Sequence, residues 1–382
     1  MRLLAFGFLI HFIRHGMVFP LIPLYAQALG AMESRVGMVV ACFHLLSLFL
    51  AIPMGGLMGR FGLRPMLALG VLCNIGYSLL LLVSASIWSL VAAQVIGGMG
   101  FLLLIIATQT YVGGRGENRD RERGFGLITL AAAVGQTLGP ALGGLLLSWA
   151  DYVSVFQVAL ILALLGSVVV AVREPATSPA GIRAGHNQDA GQIGKLLGNK
   201  HLLAVLAFTF SVMVVVSLRG SFLPLLLQAK GMSEGTIGVL LSCFALAMTL
   251  IRTVVGRILG ALTRLQVLMI TLACVLFGAG AVPFFSTPVA LAVALALFGL
   301  GFGMSQPLSM VMISDVSGSG LAMGLRFFTI TLATFLSSLG MGWVAEGMGL
   351  PTTFYLGVGF LFVAGLAITL TLRALSIKGG DV

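Results

Sequence analysis

Residues Gly135–Gly144 read GQTLGPALGG and lie in a run without charge from Gly124 to Ala150. That run is long enough to cross a bilayer as one helix. Gly135, Gly139 and Gly143 fall four apart, so they line one helix face and strip it of side chains. A neighbouring helix can then approach almost to backbone contact, the small-xxx-small mode of membrane packing. Pro140 removes a backbone donor and bends the helix, and inside a bundle neighbours can satisfy the freed carbonyl. Read by itself, the stretch is a packing face and silent about function.

Composition extends the same reading to the whole chain. Apolar residues make up 59% of the sequence, charged residues 8%, and the mean hydropathy is +1.12. A soluble core could not hide that much apolar surface, and a disordered chain would not carry it. At roughly 20 residues per crossing, 382 residues accommodate twelve helices with short loops. The expected spans are 3–26, 36–58, 65–84, 88–112, 124–148, 153–172, 201–227, 236–259, 265–283, 288–314, 321–344 and 352–374. The alternating short segments of a β-barrel are not visible. The fold class is an all-α, polytopic membrane protein.

The net charge of +10 is a matter of topology, not of nucleic acid. With sides alternated across the twelve spans, sixteen Lys and Arg fall on the side of the N-terminus and two, Arg35 and Lys230, on the other. By the positive-inside bias both termini are expected in the cytoplasm, with the chain in the cytoplasmic (inner) membrane. His11, Arg14 and His15 in the first apolar segment, and its length, argue against a cleavable signal. Cys42, Cys73, Cys243 and Cys274 lack metal-ligand spacing and are expected to be small buried hydrophobes.

The cysteines also expose a repeat. Cys42 and Cys243 are 201 residues apart, as are Cys73 and Cys274. The same offset pairs Pro23 with Pro224, Gly30 with Gly231, Gly37 with Gly238, Phe43 with Phe244, Gly98 with Gly299 and Gly100 with Gly301. An internal duplication of six spans per half follows. The expected organisation is a six-helix bundle over 1–172, a polar Pro/Gly-rich linker over 173–200, and a second bundle over 201–382.

With these features together, the chain resembles the major facilitator superfamily. Gly135–Gly144 resembles that family's fifth-helix antiporter motif, gxxxGPxxGG. Gly55–Leu67, GGLMGRFGLRPML, resembles its loop signature G-x-L-x-D-R-x-G-R-R at Gly55, Leu57, Arg60, Gly62 and Arg64. Gly59 stands where the family has an acidic residue and Leu63 where it has a basic one. Leu90–Gly100 matches the exporter pattern l-xxx-R-xx-q-G-x-G at Leu90, Gly98 and Gly100, with Gln94 in place of the arginine. The resemblance implies two pseudo-symmetric six-helix bundles and a secondary transporter working by alternating access, similar to the twelve-span drug and metabolite exporters. Gly55, Gly59, Arg60, Gly62, Arg64 and Gly135, Gly139, Pro140, Gly143, Gly144 then become the conformational motifs.

Proton-coupled relatives place a carboxylate inside the membrane. All eleven acidic residues here map to loops, span ends or the linker. What the spans carry instead is basic: Arg14, Arg219, Arg252 and Arg326. An intramembrane arginine costs at least about 2.5 kcal/mol on insertion scales, which favours a cavity or a partner for each; Arg252 and Arg326 could instead snorkel. His11 and His15 stack one turn apart and could carry a proton in place of the missing carboxylate, or serve only as helix contacts. Gln94, Gln136 and Gln306 are polar mid-span residues that line a cavity or bridge helices. Arg14, His11, His15, Gln94, Gln136, Arg219, Gln306 and Arg326 are therefore the expected substrate-binding set.

No nucleotide-binding GxxxxGK[ST], metal cluster or nucleophile triad occurs, so neither catalysis nor a cofactor is expected. The expected activity is movement of a small organic anion or zwitterion through the lipid bilayer by a monomer, with protons or a counter-anion as coupling partner. A histidine-coupled multidrug:proton antiporter, an organic-anion importer or uniporter, and a non-transporting receptor are the alternatives.

Overall fold

The computed structural model describes residues 2–50, 53, 57, 60–113, 118–171, 194, 196–316 and 320–378. Twelve of its helical stretches are long and apolar enough to cross a membrane. The helices are α1 (Arg2–Val18), α2 (Ile22–Ala28), α3 (Glu33–Leu50), α4 (Leu63–Val83), α5 (Ile87–Gly113), α6 (Asn118–Trp149) and α7 (Tyr152–Ala171). They continue with α8 (Lys200–Ser221), α9 (Leu223–Ala229), α10 (Glu234–Ala261), α11 (Arg264–Ala281), α12 (Pro288–Val316), α13 (Gly320–Met348) and α14 (Leu350–Lys378).

Two expected continuous spans are interrupted. A 3₁₀ turn, Phe19–Leu21, separates α1 from α2, and Phe222 separates α8 from α9. Pro23 and Pro224 stand in the first turns of α2 and α9, where a proline's missing N–H costs nothing. The 201-residue repeat thus reproduces a helix break as well as a helix.

The chain packs into two compact units: Met1–His186 with Gly231–Ser242, and Asn187–Lys230 with Cys243–Val382. In the first, α1 lies against α6 and α7, and α5 against α3 and α4. In the second, α8 lies against α13 and α14, and α11 against α12 and α14. The expected linker falls largely outside the described residues, as do Gly55 and Gly59.

The glycine face that opened the sequence reading is closed by α1 of its own unit. A Cβ on Gly139 would come within 2.6 Å of the Gly16 Cα, and one on Gly16 within 2.7 Å of the Gly135 oxygen. On Gly143 it would come within 2.9 Å of the Met17 Cγ. Gly144 points elsewhere, towards the start of α10, where its Cβ would lie 2.9 Å from the Gly238 Cα. Near Pro140, the Ala141 N–H donates to Ser242 Oγ at 3.0 Å, so a side chain of α10 serves the backbone beside the proline.

The duplicated glycines make duplicated contacts. A Cβ on Gly98 would collide with the Phe43 carbonyl oxygen, and one on Gly299 with that of Phe244. On Gly100 it would come within 3.0 Å of the Cys73 Cβ, and on Gly301 within 3.0 Å of the Cys274 Cβ. All four cysteines are free and half-buried, not fully buried as composition suggests.

Candidate functional site

In the first unit the polar centre joins α1 to α4. Arg14 is 1% exposed. Its guanidinium donates to Asn74 Oδ1, sits 3.5 Å from Ser78 Oγ and lies 5.3 Å from the centre of the Tyr77 ring. Asn74 Nδ2 in turn donates to the Gly70 carbonyl at 2.8 Å, and Ser78 Oγ to the Asn74 carbonyl at 3.1 Å. Helical spacing puts Gly70, Asn74 and Ser78 on one line of α4, which fixes this short polar ladder opposite Arg14.

Next to Arg14 in the chain, the His15 ring stacks on Phe101 at 4.5 Å and lies 5.5 Å from Phe43 and 5.1 Å from Phe19. His44 borders the same rings through Phe43 and Phe19. His11 borders a cavity of about 10 Å³ lined also by Gly7, Phe8, Val71, Leu104, Gly166 and Ser167. Its Nε2 is buried without a hydrogen-bond partner in the protein, and such a cavity is close to the size of one water. Gln94 is fully buried, and neither its amide oxygen nor its nitrogen has a partner. Gln136 is half-buried on α6.

In the second unit α8, α10, α12 and α13 hold three arginines in two different ways. Arg326 is 5% exposed. Its Nε donates to Ser309 Oγ at 2.9 Å, and its Nη2 to the Gln306 carbonyl at 3.2 Å and to Gln306 Oε1 at 2.5 Å. Gln306 Nε2 completes the set by donating to Met213 Sδ at 3.6 Å.

Among the described residues, Arg219 and Arg252 are met by rings. Arg219 Cζ lies 4.6 Å above the Phe244 ring centre, and Arg252 Cζ 5.9 Å from that of Phe302. The two phenylalanines stack on each other, with centroids 6.0 Å apart and planes at 24°. Arg219 Nε is buried without an acceptor, yet the side chain as a whole stays half-buried. Glycines fix this register: Cβ atoms on Gly299 and Gly303 would strike the backbone of α10 at Phe244 and Met248.

Among the described residues none of Arg14, Arg219, Arg252 and Arg326 faces a carboxylate within ion-pair distance. The pair that does form, Arg264 with Asp315 at 3.5 Å, joins the ends of α11 and α12. At the loop before α4, Gly62 adopts φ +85°, a backbone region favouring glycine. Arg60 and Arg64 beside it are exposed, Arg60 lying 5.6 Å from the Phe61 ring.

Sequence reasoning named the arginines but missed what holds them: Asn74, Tyr77, Ser78, Ser309 and the rings. One signal was available. Phe101 and Phe302 stand 201 residues apart, as do Phe43 and Phe244, so the aromatic pair under His15 and the pair under Arg219 and Arg252 are duplicated.

Comparison with known proteins agrees with this architecture. The Major Facilitator Superfamily profile matches residues 4–319 and again 205–378. The multidrug resistance protein 1 of Bacillus subtilis is 24% identical over 219 residues, 57% of this chain and 54% of that protein. The class C tetracycline resistance protein of Escherichia coli is 30% identical over 135 residues, 34% of each chain. The quinolone resistance protein NorA of Staphylococcus aureus is 26% identical over 142 residues, 37% of this chain and 36% of its own. The matched stretches thus span about half the length of the first relative and about a third of the other two. Among solved structures, the nucleoside transporter NupG superposes with a TM-score of 0.80 over 97% of this chain and 98% of its own, at 14% identity. The human organic anion transporter MFSD10 does so with 0.67 over 96% and 98%, at 18% identity. The chain belongs to the Major Facilitator Superfamily.

Proposed function

We propose that this transporter exports a small organic anion, or a zwitterion through its carboxylate, across the cytoplasmic membrane by alternating access. One observation carries the reading. Four guanidiniums lie within the spans, and among the described residues no carboxylate pairs with them. Unpaired positive charge in a low-dielectric setting attracts a negative group, and the guanidinium fork matches a carboxylate in shape. A cationic drug would meet repulsion from the same groups.

In this reading the chain works as a monomer with both termini in the cytoplasm, following the basic bias of its loops. Everted membrane vesicles test the charge preference directly. A panel of radiolabelled benzoate, succinate and inorganic phosphate is run beside the cationic dye ethidium. Uptake of at least one anion, with ethidium excluded, is the expected result; uptake of ethidium without any anion overturns it.

A second reading has its own support. Named relatives are multidrug, tetracycline and quinolone resistance proteins, and His11 presents a buried, unpartnered nitrogen beside a small cavity. A multidrug:proton antiporter with a histidine carrier would stop exporting when nigericin collapses the pH gradient, whereas anion exchange would continue.

A further inference from the structure

The four arginines of the spans are not equivalent. Arg14 donates to Asn74 and Ser78 although its Nε is buried without a partner, and Arg326 donates to Ser309 and Gln306. Arg219 and Arg252 lie 4.6 and 5.9 Å from ring centres, and no side chain or carbonyl accepts from them among the described residues. A guanidinium held against an aromatic ring by cation–π attraction spends none of its N–H donors on that contact, and its N–H edge is where a carboxylate binds with two parallel hydrogen bonds. The first pair is anchored by side-chain hydrogen bonds. The second pair is held in position and left unsatisfied.

Their placement adds a direction. Phe244 and Arg252 are eight residues apart on α10, roughly 12 Å along the helix axis. The stacked rings of Phe244 and Phe302 link the two guanidiniums. Gly299 and Gly303 bring α12 against the α10 backbone and lock that stack. The order along the unit is Arg219, Phe244, Phe302, Arg252.

We propose that α8, α10 and α12 form a two-station anion ladder, in which Arg219 on Phe244 first receives the carboxylate of an organic anion and Arg252 on Phe302 receives it next. The inference rests on the anion reading above and locates it. Phe244 and Phe302 are positioning residues: they touch the guanidiniums and not the substrate. Two stations of like charge suit transport, because each binds firmly enough to admit the anion while the neighbouring site draws it onward.

The test uses full-length protein in proteoliposomes and counterflow of radiolabelled benzoate, succinate and inorganic phosphate. The best-transported anion of the wild type becomes the probe. Lysine keeps the charge but cannot lie flat or offer a fork, so R219K is expected to raise KM about ten-fold with kcat little changed. F244L should follow R219K. R252K and F302L are expected to lower kcat about ten-fold while KM stays within two-fold. F298L is the control, since Phe298 packs edge-on against Phe244 and is not among the rings beneath the arginines. Thermal midpoints of the purified variants separate misfolding from function, and the half-buried Phe302 keeps the test usable if F244L does not fold.

If R219K and R252K change the same parameter, there is one station and no ladder. If F302L is no worse than F298L, the rings do not position the arginines. Both results overturn the inference while leaving the anion reading intact. A wild type that moves none of the three anions overturns both. Transport of phosphate without either carboxylate overturns the carboxylate assignment.

Discussion

The two units share a skeleton and differ in chemistry. In the first, Gly98 lies on the Phe43 carbonyl, and Phe43 and Phe101 support His15. In the second, Gly299 lies on the Phe244 carbonyl, and Phe244 and Phe302 support Arg219 and Arg252. Every element of that scaffold recurs at an offset of 201 residues. The polar groups do not: the positions 201 residues from Arg14, Arg219 and Arg326 hold Val215, Val18 and Phe125. Duplication preserved the close backbone contacts, which tolerate no side chain, and released the surfaces those contacts present.

The comparison is broken most severely at the shared contacts. Gly98→Val and Gly299→Val each force branched side chains onto a carbonyl, and overpacking of this kind typically costs roughly 1–3 kcal/mol, occasionally more. Both variants should lose most of their monodisperse material in size-exclusion chromatography, and to a similar extent. A large difference between them would show that the scaffolds are not energetically equivalent.

The polar centres sharpen it next. Asn74→Ala removes one acceptor of a buried guanidinium in the first unit, and Ser309→Ala one in the second. A hydrogen bond to a charged group contributes roughly 1.5–3 kcal/mol. Asn74→Ala is expected to lower the thermal midpoint more, because Arg326 keeps both Gln306 acceptors after the loss of Ser309. Equal shifts would contradict the description of Arg14 as the less redundantly held of the two.

The smallest effect belongs to Ser242→Ala, which deletes the acceptor of the Ala141 N–H beside Pro140. A neutral bond of this type contributes about 0.5–1.5 kcal/mol. The expected readout is faster hydrogen exchange at Ala141 with little change in the thermal midpoint. Unaltered exchange there would mean that the backbone beside the proline is protected without the α10 hydroxyl.

The split between scaffold and chemistry also explains what the sequence could say. Twelve spans follow from apolar runs, and the duplication from Pro, Gly and Cys at one spacing. Even the break after Val18 has a trace in Pro20 and Pro23. The partner of the Gly135–Gly143 face does not: glycine periodicity declares a close approach but not which helix makes it, and the partner proves to be α1 through Gly16. Likewise an arginine in a span announces a cost without naming what meets it. Asn74 and Arg14 are 60 residues apart, and nothing in local spacing links them. Phe43 and Phe244 belong to the repeat visible in the sequence, whereas Phe101 and Phe302 at the same offset pass as filler because phenylalanine is common in membrane helices.

Four thiols come with this architecture, and their placement has an experimental consequence. Cys73 and Cys274 sit in matched surroundings, each with its Cβ 3.0 Å from where a side chain on Gly100 or Gly301 would begin, and each is half-buried. Matched surroundings favour similar intrinsic reactivity. A difference in their alkylation rates by a maleimide would then report chiefly how readily reagent reaches each unit. The native chain thus carries its own paired probe, and the ratio of the two rates during turnover would follow the two units separately without an introduced label.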